Sequence, residues 1–399
     1  MVNERVQAVD ALRALALLGI LSVNIWYFAQ PHLLNTGVIA EFPTSTADQL
    51  VRFSASLLFE GKSYVIFSFL FGLSFVLAQR GRSTDTTRRA LLRCGILIVL
   101  GLLHGLFLFA GDILLAYGLL GLVLLSLRDT SARSARIIAG VLYGVIVLIV
   151  LGLGSGYATW EDGVDTISLF GDPAEAVAAY TGDLSQWFGF QTSAYGTVVF
   201  SVLLVQGPMA FAAFLIGLTI GRSHLLERID AGEFSTSRLM LLAVPALILG
   251  LGISALAAVM VWGTPGEPGT GEGVGYGTQL MATGLNFAAG PIQATGYVLI
   301  ALVIFRALPG LTQLLAPAGR MSLSNYLGQS VVLALLFSGL GLGLAGQLDE
   351  WAVGVVVICL WLTQLVLSYL WLRVLPRGPV EMPMRAVLDL TTGESRRSS

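Results

Sequence analysis

The stretch LLHGLFLFAGDILLAYG (residues 102–118) sets His104 and Asp112 eight residues apart in otherwise apolar sequence, with Tyr117 a few positions on. A histidine beside a carboxylate is the pairing that general-base chemistry uses. The acid fixes the imidazole tautomer, and the second ring nitrogen accepts a proton from an attacking hydroxyl or amine. A charged side chain near the bilayer centre costs about 2.5–3.5 kcal/mol on insertion scales, so such groups normally face a partner or a cavity instead of lipid. Blander roles compete. A lone histidine in a helix bundle often bonds a backbone carbonyl, and Asp112 stands where a helix begins and a carboxylate caps free N–H groups. Capping and chemistry are compatible in one aspartate, and the sequence leaves both open. His32, in FAQPH, is the second candidate base.

Further polar residues interrupt apolar runs. In VDALRALALLGILSVNIWYF, Asp10 and Arg13 are three apart on one helical face. They form an ion pair at the inner boundary or offer Arg13 to an anionic ligand. Asn24 lies further along, at the depth expected for His104. Lys62, in FEGKSYVIFSFLFG, is the only lysine. Its GKS is not a phosphate loop, because Ser56 replaces the required glycine and no strand precedes it. The lysine either snorkels to headgroups or pairs with Glu60 or Asp112. Gln293 and Tyr297 are four apart, as are Asn325 and Gln329 in GRMSLSNYLGQS, which also carries Arg320 and Tyr326. These residues either line a substrate path or join helices by hydrogen bonds. Cys94 and Cys359 lie in apolar runs and match no redox spacing, and no metal site is expected.

Membrane-spanning helices must position these groups. Of 399 residues, 55% are hydrophobic and 12% charged, against about a quarter charged in soluble domains. The fold expected is an all-α polytopic membrane bundle, multi-pass in the cell membrane. A net charge of −2 gives no electrostatic case for nucleic acid. The N-terminal segment, with Asp10 and Arg13 and no small-residue cleavage site, is expected to stay as the first span. Ten segments suit spans: 11–29, 63–79, 90–110, 112–127, 137–157, 197–221, 239–262, 278–306, 321–345 and 351–372. With both termini cytoplasmic, 20 of the 22 basic residues fall on the inner side, and only Arg52 and Lys62 do not.

Other pieces are expected to be irregular. Residues 48–60 read as an amphipathic helix along the outer surface, and 171–196 as an outer interfacial segment. The acidic stretch 158–196 includes Glu161, Asp162 and Asp165. Residues 264–277 read as a mobile Gly-rich loop, Pro291 as a kink or break in the eighth span, and 386–399 as a disordered tail after one domain over 1–385. The short hairpin around His104 matters most. Its arms, 94–110 and 112–127, reach about 25 Å and 24 Å at 1.5 Å per residue, against a core of about 30 Å. With Arg93 and Arg128 anchoring the inner ends, the bend is sunk below the outer surface. The expectation is a hydrated pocket opening outward, with His104 and Asp112 on its wall.

The segments DALRALALLGILSVNI, GKSYVIFSFLFG, LLHGLFLFAGDILLAYGLLG, PIQATGY, GRMSLSNYLGQS and WLRVLPRGPVEMPMR occur in this order over nearly the full chain. In them the chain resembles the YeiB-like family of bacterial integral membrane proteins, a domain of unknown function. That family is similar in layout to membrane-bound acyltransferases, which move acyl groups from a cytoplasmic donor, usually acyl-CoA, to sugars or lipids on the far side. Those enzymes often carry an arginine followed by a catalytic histidine in the first span. Here Arg13 is kept, but Asn24 stands at the histidine position. The resemblance therefore implies another base, with His104 and Asp112 first and His32 second. Asn24 or Lys62 would stabilise the oxyanion.

Two functions follow as expectations. The first is an acyltransferase acting on an envelope glycan, glycolipid or secreted small molecule, with acyl-CoA as co-substrate and no permanently bound cofactor. The second is a transporter of a small polar or amphipathic molecule. A protein without chemistry, serving assembly, would tolerate Gln and Asn at positions 104 and 112. Besides the lipid bilayer, a homodimer partner stays open.

Overall fold

Helix α1 (Gln7–Ala29) runs through the middle of the computed structural model and is buried almost all round. The structure describes residues 7–37, 39, 42–77, 86–159, 172–267 and 274–392. A helix apolar on every face has to be surrounded by other helices. After the short α2 (His32–Thr36) come α3 (Thr46–Leu58), α4 (Ser63–Leu77), α5 (Thr86–Phe107), α6 (Leu114–Ser126) and α7 (Ala132–Ala158). Next are α8 (Pro173–Thr181) and α9 (Leu184–Ser201), which passes through a π-helical turn at Val202–Gln206 into α10 (Gly207–Arg222). The chain closes with α11 (Leu225–Asp230), α12 (Thr236–Trp262), α13 (Tyr276–Ala307), α14 (Pro309–Arg320), α15 (Ser322–Phe337), α16 (Glu350–Val374) and α17 (Glu381–Thr392). Around α1 pack α4, α14, α15 and α16, while α7, α12 and α13 build one flank. The outer helices present Leu148, Ile248 and Leu367 to their surroundings, as lipid-facing surfaces do.

Each of the ten expected spans contains an apolar helix among the described residues, although the ninth, expected over 321–345, ends at Phe337. Among the described residues, eight helical stretches are long and apolar enough to cross a membrane, and α6 and α15 are shorter apolar helices. In the eighth span, expected to be kinked or broken, α13 is unbroken through Pro291. Proline lacks the N–H that would bond the carbonyl four residues back. Here that carbonyl, of Phe287, accepts the Tyr143 hydroxyl at 3.0 Å. The irregular turn falls instead in the sixth span, at Val202–Gln206.

Helix α3 does not lie with its polar side to water. Asp48, Gln49, Arg52 and Ser56 form its buried stripe, and it packs on α12 and α16. The amphipathic pattern is real, but its polar face bonds protein. Gln49 Nε2 donates to the carbonyls of Trp262, Thr264 and Glu267, tying down the start of the Gly-rich loop. The segment read as interfacial, 171–196, is α8 and most of α9, with Tyr180 and Trp187 buried in the core. The tail expected to be disordered from residue 386 is helical through Thr392. Asp389 anchors it on Arg89 at 2.7 Å and Arg385 at 2.9 Å. Glu161, Asp162 and Asp165, loop residues 268–273 and tail residues 393–399 lie outside the described residues.

Candidate active site

His104 and Asp112 meet. Asp112 Oδ1 lies 2.7 Å from His104 Nδ1, and Asp112 Oδ2 accepts the Leu115 backbone N–H at 2.9 Å. One carboxylate therefore caps the first turn of α6 and holds the imidazole. Close approach of α5 and α6 makes this geometry. A Cβ on Gly101 would stand 2.2 Å from Leu115 N and 2.7 Å from Asp112 Oδ2, so only glycine fits there. Because a carboxylate accepts, the ring proton sits on Nδ1 and Nε2 is left for chemistry. That Nε2 is buried without a hydrogen-bond partner among the described residues. Oriented by an acid on one nitrogen and unengaged on the other, the imidazole has the geometry of a general base.

The pocket beside it does not open outward. Phe109, Tyr180, Trp187 and Phe190 pack with Trp26 and Phe28 in one apolar cluster around the hairpin bend. Gln191 Nε2 donates to the Leu108 carbonyl at 2.9 Å, and the Tyr195 ring lies against Gly105. The recess left by the short helices is filled by aromatic side chains of α8 and α9, because burying apolar rings is worth more than hydrating an apolar hollow. His104 and Asp112 are accordingly only 2% and 1% exposed.

A cavity of about 720 Å³ approaches the pair from the opposite, arginine-rich end. Near the pair it is lined by Ile113, Leu114, Tyr117 and Tyr326, and elsewhere by Arg13, Arg89, Arg93, Arg320, Arg377 and Arg385. Asp10, Glu227 and Glu381 also line it, leaving three more positive than negative groups. Tyr326 touches both regions, since its ring lines the cavity and its centroid is 5.2 Å from that of His104. The Tyr117 hydroxyl is 2.6 Å from that of Ser68. Arginines arranged around a hollow are suited to phosphate or carboxylate groups, which they bind in bidentate fashion.

The remaining predicted residues divide between this site and structural work. Arg13 bonds Asp10 and Ser74 and lines the cavity, so it serves both readings. Arg320 reaches the Pro376 carbonyl at 3.3 Å on the cavity rim. Asn325 bonds the Ala318 carbonyl and Ser368, and Gln329 bonds Gln364, which joins α15 to α16. Gln293 and Tyr297 bond each other at 2.7 Å, and each also reaches a carbonyl at the end of α3. Asn24 is half-buried with no hydrogen bond from its side chain among the described residues. His32 stands at the start of α2; burial and then the Arg52 charge lower its pKa to about 4, so it is neutral near pH 7.

Lys62 neither snorkels nor pairs with Asp112. It is fully buried and donates to the Ser56 carbonyl at 2.9 Å and to Asn286 Oδ1 at 2.7 Å. Glu60 joins the network by accepting from Asn286 and Ser56. Sequence reasoning missed Asn286, which looks like any polar residue in a long span. The basic residues of the inner face were legible as a group suited to CoA phosphates, but not the convergence of Arg89, Arg93 and Arg377 on one cavity. Their clustering is tertiary, and α17 supplies part of it by folding back onto α5.

Apolar helices surrounding a buried, hydrogen-bonded histidine–aspartate pair define an all-α polytopic membrane protein. The family described as "Protein of unknown function (DUF418)" matches residues 220–391. "Uncharacterized protein YeiB" of Escherichia coli (strain K12) is 30% identical over 403 residues, covering 95% of this chain and 94% of that one. "Uncharacterized protein YxaH" of Bacillus subtilis (strain 168) is 26% identical, covering 98% of this chain and 95% of its own length. The chain belongs to this YeiB-like, DUF418 family.

Proposed function

We propose that the protein is an acyltransferase-type enzyme of the bacterial cell membrane. It moves an acyl group from a cytoplasmic donor to an envelope glycan, lipid or secreted small molecule. One observation carries the reading: the buried His104–Asp112 pair, with Nε2 unengaged, stands one tyrosine ring from an arginine-lined cavity. An acyl-CoA co-substrate would place its phosphates among Arg89, Arg93 and Arg385, with the acyl end toward Tyr326. His104 Nε2 then takes the proton of an acceptor hydroxyl or amine. The acceptor atom bonds to the acyl carbon, the C–S bond breaks, and the leaving thiolate receives the proton back from His104. Burial of the pair keeps water from competing as acceptor.

The test is CoA-thiol release by the purified protein in nanodiscs, given acetyl- or succinyl-CoA and extracted envelope lipids and glycans. Release that depends on an acceptor and is lost in His104→Gln supports the reading. An absence of release with every acceptor, together with an unchanged cell phenotype in His104→Gln, overturns it. Transport of a small polar or amphipathic molecule is the competing reading, and it predicts flux in proteoliposomes with no acyl donor present. Its motives in the sequence are a broken eighth span and polar residues within the membrane; α13 is continuous, which leaves the second.

A further inference from the structure

On the side of the bundle opposite the arginine cavity, Arg52 lies over the rings of two tryptophans. Its guanidinium carbon is 4.0 Å from the Trp26 ring centroid and 4.3 Å from that of Trp262. The side chain is 4% exposed. It makes no hydrogen bond or ion pair among the described residues, and its Nε is buried without a partner. Two stacked indoles favour a cation but offer nothing to the N–H groups, which all point outward in the guanidinium plane. A charge taken out of water this far normally has its donors filled.

The surrounding groups narrow the missing partner. Glu350 and Glu60 act on Arg52 electrostatically, but neither comes within ion-pair distance. Glu60 is already occupied by Ser56 and Asn286. Glu350 is partly exposed, and its carboxylate accepts only from its own backbone N–H and, at 3.4 Å, from Gln30, with no cation in ion-pair contact among the described residues. An unfilled guanidinium edge beside an under-used carboxylate is complementary to a ligand carrying both signs of charge. We infer that this face binds a zwitterionic group, an oxyanion on Arg52 with a neighbouring ammonium on Glu350, either as a free small molecule or as a lipid headgroup.

The site connects to the histidine pair. Phe109 stands between them, its ring centroid 6.2 Å from Tyr27, the neighbour of Trp26, and 6.2 Å from His104. If His104 performs acyl transfer, as proposed above, the bound zwitterion is the acceptor and Phe109 separates it from the base until the two meet. That link rests on the proposed function; the binding itself does not.

Binding is therefore measured with no acyl donor present, on the full-length protein in phosphatidylglycerol nanodiscs. O-phosphoethanolamine is titrated against tryptophan fluorescence, with inorganic phosphate and ethanolamine as single-charge probes. Saturable binding about tenfold tighter than either single-charge probe is expected, as is at least a tenfold loss in Arg52→Gln. Glu350→Gln removes the preference for O-phosphoethanolamine over phosphate. In a second arm, nanodiscs containing phosphatidylethanolamine separate the sources. A headgroup ligand shifts the fluorescence without added probe and competes with it, whereas a free ligand is unaffected by that lipid. Should Arg52→Gln not fold, Arg52→Lys keeps the charge without the planar fork and is expected to bind several-fold more weakly. The inference is overturned if folded protein gives no saturable response in either arm, or if binding is unchanged when Arg52 is replaced.

Discussion

Replacing Asp112 by asparagine tests the centre of the site without knowledge of a substrate. Asp112 holds two hydrogen-bond donors at once, the His104 Nδ1–H at 2.7 Å and the Leu115 N–H at 2.9 Å. A hydrogen bond to a charged group contributes about 1.5–3 kcal/mol. At 1.36 kcal/mol per tenfold, the bond to His104 favours the Nδ1–H tautomer by about 10- to 150-fold. Asparagine has one acceptor oxygen in place of two. If that oxygen keeps Leu115, the amide NH₂ faces Nδ1, which must then accept, and the ring proton moves to Nε2. The lone pair needed for base catalysis is lost although the shape of the site is kept. The folded state loses about 1.5–3 kcal/mol with the charge-assisted bond.

The assay is ¹⁵N-histidine NMR of the protein in nanodiscs. The chain has 3 histidines, so replacing His32 and His224 by glutamine leaves His104 as the sole reporter. The expected result is a bare Nε2 and a protonated Nδ1 with Asp112, and the reversed pattern in Asp112→Asn. Any group transfer should fall by about 10²–10⁴ in the same variant, the usual contribution of a positioned base. A protonated Nε2 with Asp112 in place, or an identical spectrum in Asp112→Asn, refutes the reasoning whatever the protein's substrate.

Three other outcomes follow from contacts outside the pair. Asn286→Leu removes one of the two acceptors of the fully buried Lys62 ammonium and should destabilise the protein by about 1.5–3 kcal/mol, measured by thermal unfolding in detergent; Lys62→Met together with Asn286→Leu should recover most of that loss. Burial works against the Asp389 charge, but hydrogen bonds from Arg89 and Arg385 hold its carboxyl below the ordinary range. Docking of α17 is therefore intact above the ordinary carboxylate pKa and weakens as pH falls through the lowered one, and Asp389→Asn should speed hydrogen exchange over 381–392 already at pH 7. His32, with a pKa lowered to about 4, refuses a proton that the unfolded chain accepts below about 6.5. Its contribution is present above that range and lost as pH falls from about 6.5 to about 4, a slope that His32→Asn should remove from the pH dependence of the unfolding temperature.

The spans were legible because hydrocarbon imposes one rule, about 20 apolar residues per crossing, and every expected segment obeys it closely enough to be seen. The pairing of His104 with Asp112 was legible for a related reason. A short hairpin with glycine at positions 101 and 118 brings the end of α5 over the start of α6 whatever surrounds it. What could not be read locally was the destination of each polar or irregular feature. The 3–4 spacing of Asp48, Gln49, Arg52 and Ser56 states that α3 has a polar face, but the same spacing suits water or a ring of buried acceptors. The partners of Gln49, Ser56 and Asp48 belong to α12, α13 and α16, more than two hundred residues away. Pro291 announces a missing hydrogen bond, and only the arrival of Tyr143 from α7 decides that the helix stays whole.

The side from which His104 is reached follows the same logic. Helix lengths argue for a sunken bend, but they say nothing of what packs over it. Tyr180, Trp187 and Phe190 cover it from α8 and α9, in a segment whose aromatic and acidic composition suits a bilayer surface equally well. Closed on that side, the imidazole lies nearest to the space beyond Tyr326, where arginines from α1, α5, α14 and the C-terminal region converge. Under the acyl-transfer proposal, a donor on the arginine side and an acceptor admitted through the aromatic cluster would meet at His104, whose ring neighbours are Tyr326 on one face and Phe109 on the other. Such an arrangement holds water away from a labile donor until both substrates are seated, so removing either ring has a distinct consequence. Tyr326→Ala or Phe109→Ala should raise hydrolysis of the donor in the absence of acceptor, whereas a purely structural ring would lower stability and leave the ratio of hydrolysis to transfer unchanged.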